Sequence, residues 1–287
     1  MAANTGFFRG KSVIVSGGSR GIGLAIALKL ARDGAKVAIF AKTVKAHPQL
    51  PGTIYTAVEE IEAAGGQGLA CSVDIRDEQA VQEAVRKTHE TFGHIDILIN
   101  SASAVSPTPT LKTDMKRYDL MNSINTRGTF LVTKTCIPHL RRGRNPHVLN
   151  LSPPMDMDKR WFAPHLAYTW SKYGMSACVL GMSEEFRRDG IAFNALWPRT
   201  LIWTAAMKIV SPDPDTQRRC RKPEIMADAA YLLLQKPSTD YTGNFALDDE
   251  LLAEAGVTDL DEYAYDPKAE LIPDGFIPGG RALNAKI

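Results

Sequence analysis

Cysteine is scarce in this sequence of 287 residues, with four in all: Cys71, Cys136, Cys178 and Cys220. They are widely spaced, form no CxxC pair and have no histidine cluster beside them. That pattern excludes a disulfide framework and a zinc site, so no metal is expected; it predicts free thiols in a reducing, cytoplasmic setting. Long hydrophobic runs are missing too. No stretch approaches the roughly 18 apolar residues of a membrane span, and the amino-terminal MAANTGFFRGKS has no apolar leader, so no membrane partner is expected. Nor does one sign of charge dominate: 34 Lys and Arg stand against 32 Asp and Glu, a net charge of +2. The one dense basic run, Arg141-Arg142-Gly143-Arg144, reads as a solvated loop, which leaves no nucleic-acid footprint. The sequon Asn150-Leu151-Ser152 is inert in a cytoplasmic chain.

What the chain does have is 44% hydrophobic residues arranged in short runs between helical stretches. Apolar runs at 12–16, 37–41, 68–73, 95–100, 147–151 and 191–196 read as strands. Helical spacing covers 22–32, 56–64, 77–92, 116–140 and a stretch running to about 188. Such alternation predicts a parallel sheet with helices on both faces, in one α/β domain. A Pro-bearing loop at 45–52 interrupts the first half. Beyond residue 255 the sequence turns rich in Pro, Gly and Asp, which predicts a domain over 1–255 and an extended surface tail over 256–287.

Two motifs carry chemistry. Between the first strand and the first helix stands Ser16-Gly17-Gly18-Ser19-Arg20-Gly21-Ile22-Gly23. Glycines there let the backbone turn sharply and approach a pyrophosphate, whose charge meets the amide groups at the helix start. Far down the chain, Tyr168-x-x-x-Lys172 puts a phenol and an ammonium on one helix face, a turn apart. An ammonium beside a phenol favours the phenolate and makes the tyrosine a usable proton carrier near neutrality.

Together these residues resemble a short-chain dehydrogenase/reductase, a family of single-domain Rossmann enzymes that use NAD(H) or NADP(H). Asp74 after the third strand and Asn125 in the long helix complete the likeness. Within the family, the likeness is greatest to one branch. It rests on Ala41-Lys42-Thr43, Gly52-Thr53-Ile54-Tyr55-Thr56-Ala57, Asn125-Thr126-Arg127-Gly128, Leu151-Ser152-Pro153-Pro154, Lys172-Tyr173-Gly174-Met175 and Ala195-Leu196-Trp197-Pro198. Some members of that branch add a sterol-carrier-like module, for which this chain is expected to be too short. The resemblance implies that Tyr168 is the acid in reduction and the base in oxidation. Lys172 would lower its pKa and hold the nicotinamide ribose. Asn125 would kink the long helix and free a carbonyl for a proton-relaying water. Asp74 would hold the adenine and Asn100 the adenine ribose region, with Gly17, Ser19, Arg20, Gly21, Ile22 and Gly23 around the pyrophosphate. The long helix and the helix of Tyr168 commonly pair between subunits in the family, so a homodimer or homotetramer is expected.

Cofactor choice follows from charge. Ala41 stands where an NAD enzyme places a carboxylate, and Lys42 and Arg20 flank it, which favours the 2′-phosphate of NADP(H) over NAD(H). Three departures from the family pattern remain, one of them a longer loop between Pro153 and Tyr168. Pro153 replaces the second serine of the fifth-strand loop and offers neither O–H nor N–H, a loss of about 10²–10³ in rate if nothing replaces it. Ser152 turned inward, or Ser103 from another loop, is then the candidate donor to a substrate carbonyl. Trp197-Pro198-Arg199 replaces Pro-Gly, so Arg199 would face the carboxamide or an anionic substrate. Residues 155–164 and 200–214 are expected to line an apolar pocket through Met155, Met157, Trp161, Phe162, Leu201, Trp203, Met207 and Val210, suited to a lipid-like carbonyl or alcohol. Three functions remain open: a carbonyl/alcohol oxidoreductase, an enoyl-thioester reductase, and a cofactor-binding sensor without turnover.

Overall fold

The computed structural model describes residues 1–46, 50–211, 213–277 and 280. Parts of the expected loop at 45–52, of the pocket segment at 200–214 and of the tail at 256–287 therefore lie outside the described residues. In chain order the elements run β1 (Ser12–Ser16), α1 (Gly21–Ala31), β2 (Lys36–Ala41), α2 (Ile54–Ala63), β3 (Gln67–Ser72), α3 (Glu78–Phe92) and β4 (Ile97–Asn100). They continue with α4 (Met115–Met121), a π-helical segment (Asn122–Gly128), α5 (Thr129–Leu140), β5 (His147–Asn150), α6 (Lys159–Phe162), α7 (Leu166–Glu185) and β6 (Ala192–Trp197). The last part holds α8 (Ala205–Val210), α9 (Pro214–Arg218), α10 (Glu224–Gln235), β7 (Phe245–Leu247) and α11 (Asp248–Glu254).

The seven strands form one sheet in the order β3-β2-β1-β4-β5-β6-β7, every pairing parallel. Alternation along each strand sorts the core into two layers. Val13, Val15, Val37, Ile39, Ile97 and Ile99 pack against α1, α2 and α10. Ile14, Ala38, Phe40 and Leu98 pack on the other face, against α3, α5 and α7. The fold is the single-domain doubly wound α/β Rossmann type expected. Its strand order reverses between β1 and β4, where such sheets open a crevice at the strand carboxyl ends.

Local chemistry explains several element ends. Thr53 and Thr56 form a capping box at the start of α2. Asp77 caps α3, and Gly93 closes it at φ 85°. The long helix expected over 116–140 is interrupted: its middle, around Asn125, is π-helical, the kind of bulge that loosens the hydrogen-bond ladder. Residues 256–277, expected as an extended surface tail, make a 3-10 turn at Asp261–Tyr263 and stay exposed or half-buried to residue 273 apart from Tyr263 and Ala264, then run under cover at 274–277. Their backbone pairs with residues 199–222 through Lys222 N–H to Tyr263 O, Ile272 N–H to Arg219 O and Asp274 N–H to Arg199 O. Tyr263, Phe276 and Ile277 are wholly buried. Phe276 wedges between Trp161, Tyr168, Tyr173 and Trp197 and makes a third, small apolar cluster.

Candidate active site

The crevice at the β1/β4 reversal is a groove of about 450 Å³. Gly17, at φ 70°, turns the chain out of β1, and a side chain there would meet the Ala102 backbone at 2.6 Å. Gly23 has no room either, because a Cβ would lie 2.8 Å from Gly17 O. Helix α1 then begins with no side-chain cap and no acidic residue in its first turn. Its amide groups are left for a ligand anion, the arrangement a pyrophosphate needs. Gly17, Ser19, Arg20, Gly21, Ile22, Lys42, Asp74 and Lys172 all line the groove.

The cations at the outer end are partly engaged. Arg20 donates to Pro51 O at 3.0 Å and Gly52 O at 2.7 Å. Lys42 is mostly exposed and 3.8 Å from Asp74. Asp74 is gripped by Arg76, whose hydrogen bonds hold its carboxyl down at about 2 despite partial burial. Asn100, expected at the ribose, lines neither cavity of the site. Its Nδ2 donates to Thr133 Oγ1 and to Asn150 Oδ1, tying the ends of β4 and β5 together. Asn150 is itself buried, out of reach of any glycosylation.

A second, apolar pocket of about 150 Å³ opens beside the first. The two share Ile22, Val105, Leu151, Trp197, Thr204 and Ala206 as walls. Tyr168 faces the small pocket and Lys172 faces the groove. The Lys172 ammonium is buried, donating to Leu151 O at 2.6 Å and to Met175 Sδ at 3.4 Å, over the face of Trp197. Burial draws its pKa down to about 7. The Tyr168 phenol goes the other way: burial, aided by the Asp274 carboxyl, raises it well above its ordinary value. The lowering that the Tyr–Lys spacing led us to expect is thus outweighed by desolvation of the phenol.

Asn125 is wholly buried in the π-helical segment. Its amide accepts from Ala104 N at 2.7 Å and donates to Ala104 O at 3.0 Å and Ser171 Oγ at 2.9 Å. It so fastens the loop after β4 to the helix that carries Tyr168.

Other expected residues lie elsewhere. Ser152 is fully buried, its hydroxyl without a partner among the described residues, and it lines neither cavity. Ser103 lines only the groove. Arg199 lines neither cavity; Asp249 and Glu250 hold its guanidinium at 2.9 and 2.5 Å. Of the expected pocket residues only Leu201, Met207 and Val210 line it. Trp161 is sealed beneath Phe276 with its N–H on Asp156, and Met157 is open to solvent. One residue that the motifs did not single out is present: Asp274, in the small pocket with Tyr168.

Residues 11–214 match the model of the short chain dehydrogenase family. The chain is 57% identical over 277 residues to a Hydroxysteroid dehydrogenase-like protein 2 from Xenopus tropicalis, a match covering 96% of this chain and 66% of that protein, just under two thirds of its length. Among solved structures it is similar to a putative dehydrogenase from Xanthomonas campestris, at 50% identity and a TM-score of 0.91 over 94% of this chain and 99% of that one. It is equally similar, at 50% identity and a TM-score of 0.90, to a short chain dehydrogenase from Mycobacterium thermoresistibile, covering 97% of this chain and 98% of that one. With the parallel sheet, the glycine turn and the Tyr168–Lys172 pair in place, the chain belongs to the short-chain dehydrogenases, a family of nucleotide-binding oxidoreductases.

Proposed function

We propose that the chain is an NADP(H)-dependent oxidoreductase that interconverts a carbonyl and an alcohol on an apolar, lipid-like substrate, with Tyr168 as acid and base. The observation that carries this reading is the junction of the two cavities, with the phenol on the small apolar side and Lys172 on the groove side. The groove suits a dinucleotide: a glycine turn with no space for side chains at Gly17 and Gly23, an uncapped helix start, the cations Arg20 and Lys42, and no carboxylate at the end of β2. Arg20 and Lys42 would hold the 2′-phosphate, Asp74 the adenine, and Lys172 the nicotinamide ribose. The bound nicotinamide supplies or takes up the hydride.

A phenol whose pKa is raised by burial keeps its proton at neutrality, which is what donation to a carbonyl oxygen requires. In the oxidative direction Tyr168 must give up that proton, and the Lys172 ammonium then stabilises the phenolate. Asn125 acts through position, holding α7 and the loop after β4 in register. The apolar class of substrate rests on Leu196, Leu201, Ile202, Met207, Val210 and Met226 in the small pocket. Exposed Phe130 on α5 and Trp170 and Leu180 on α7 support pairing with a second copy.

The test is consumption of NADPH and NADH by the purified chain over aldehydes, ketosteroids, and 3-ketoacyl and enoyl thioesters, with Tyr168→Phe in parallel. Turnover of a ketone or aldehyde that Tyr168→Phe abolishes is the expected result. Reduction confined to enoyl thioesters, identified from the saturated product, would replace the carbonyl reading. NADPH binding without turnover of any member would favour a sensor.

A further inference from the structure

The hydroxyl that the family sets opposite its tyrosine is missing, and the residues nearest the gap do not fill it. Pro153 has no donor, and its carbonyl accepts from Ser176 Oγ at 2.7 Å. Ser152 lines neither cavity. Thr204 reaches both cavities; its Oγ accepts from Met207 N as the cap of α8, and its O–H stays a competing donor. Besides Tyr168, Thr204 and the Trp197 indole, whose N–H is given to Gly275 O, the small pocket has the carboxyl of Asp274.

Asp274 is held there by the chain's last described stretch. Its N–H donates to Arg199 O, and Pro273 bridges Thr200 in antiparallel fashion. Trp197 Nε1 donates to Gly275 O at 3.0 Å, and Phe276 and Ile277 lock the next two positions into the aromatic cluster. One carboxyl oxygen, Oδ1, accepts from Gly275 N at 2.6 Å. The residue is 8% exposed, and no cation among the described residues pairs with it. The Lys172 ammonium, whose charge acts on it, donates instead to Leu151 O. Burial of a carboxyl with no ion-pair partner favours the neutral acid. We propose that Asp274 is the second hydrogen-bond donor to the substrate oxygen that Tyr168 protonates, supplied from the carboxyl-terminal segment in place of the hydroxyl absent at Pro153.

This rests on the carbonyl reading of the site. In reduction the carbonyl carbon receives the hydride from the reduced cofactor and the oxygen receives the Tyr168 proton. Asp274 keeps its own proton and only hydrogen-bonds the developing alkoxide, as a buried acid can in a dry site. Burial pushes its pKa up to about 7; the Gly275 amide, Lys172 and the Trp197 indole oppose that rise, and Asp248 adds to it. Tyr168 and Cys220 also face it. Donation therefore holds below that pH and fades as pH rises through it.

The experiment uses the full chain with NADPH and a carbonyl substrate from the panel. Asp274→Ala is expected to lower kcat by about 10²–10³ while NADPH binding is unchanged. Asp274→Asn keeps an N–H donor that does not titrate. It is expected to stay within about tenfold of wild type and to weaken the alkaline fall, leaving the part that belongs to Lys172. Asp274→Asn as inactive as Asp274→Ala would overturn the proposal in favour of a counter-charge. So would Asp274→Ala near wild type, whether or not Thr204→Val loses activity. An infrared difference spectrum of the ligand-free chain, wild type against Asp274→Asn, supplies a readout apart from activity. A carboxylic-acid carbonyl band that vanishes above about pH 7 is expected, and its absence at mildly acidic pH refutes the neutral donor. Should wild type turn over no panel member, the carbonyl reading fails on its own, and the band still decides whether Asp274 holds a proton.

Discussion

The groove and the small pocket are neighbours built by different means. The groove takes its walls from successive strand ends, at residues 17–22, 40–43, 73–75 and 101–105, and from turns whose shape is set by backbone. The pocket collects side chains from α7, β6, the segment after β6, α10 and the returning carboxyl-terminal stretch. A phosphate site can be assembled from amide groups and glycines, which are local. An acid–base site needs desolvated side chains of defined charge, and desolvation requires cover from distant segments. The two halves should therefore fail separately.

The largest effect belongs to Tyr168→Phe. Turnover is expected to fall by about 10²–10⁴ with NADPH affinity unchanged, as measured by steady-state rates beside a fluorescence titration. Equal loss of cofactor binding would show that the halves are one unit. Phe276→Ala comes next: removing a buried ring should cost about 3–5 kcal/mol in denaturant unfolding. Since the ring covers Tyr168 and Trp197, turnover should suffer more than NADPH binding.

Gly17→Ala attacks the other half. The left-handed backbone costs an alanine about 1–2 kcal/mol, and its methyl must push Ala102 away. Cofactor affinity is expected to drop before any pocket property does; unchanged NADPH affinity would remove the glycine cradle from the site. Smaller still, Arg20→Ala and Lys42→Ala should each lower the preference for NADPH over NADH by about tenfold. Lys42 is the cleaner probe, because Arg20 also braces Pro51 and Gly52. An unaltered preference in both would dissociate these cations from the 2′-phosphate.

The smallest effect is on the pH dependence of stability. The carboxyls of Asp248 and Asp274 are raised by burial to about 6 and about 7. The folded chain thus holds protons that the unfolded chain has released, and these two groups lower stability as pH rises from about 4 to about 7. His147, drawn down to about 4 by burial, works in the opposite direction from about 4 to 6.5. Asp274→Asn should therefore gain stability relative to wild type between pH 5 and pH 8, read from unfolding midpoints. A constant difference would mean that Asp274 does not titrate there.

The strands were legible to within a residue or two because alternating burial and short apolar runs are properties of neighbouring residues. Strand β7 spans only Phe245–Leu247, too short for a period to declare itself, and α10 is buried on most sides, so neither stood out. The π-helical break at Asn125 was foreseen through family likeness, not through periodicity, which reads 116–140 as one helix. Errors gathered in the pocket. Residue type alone made Trp161 and Met157 lining residues, whereas packing buries one under Phe276 and leaves the other in solvent. Arg199 looked free for a ligand, but α11 brings Asp249 and Glu250 to it from about fifty residues away.

By itself the sequence determined the order of the first six strands and the main helices between them, the glycine turn and the helical spacing of Tyr168 and Lys172. Each depends on dihedral preferences and periods that act over a few residues. Only the tertiary structure decided which groups lose water. It returned the carboxyl-terminal stretch over β6, brought Asp274 and Phe276 to Tyr168, and raised the phenol that spacing alone would have lowered. Desolvation is a sum over everything that covers a group, and that cover comes from segments with no fixed distance along the chain.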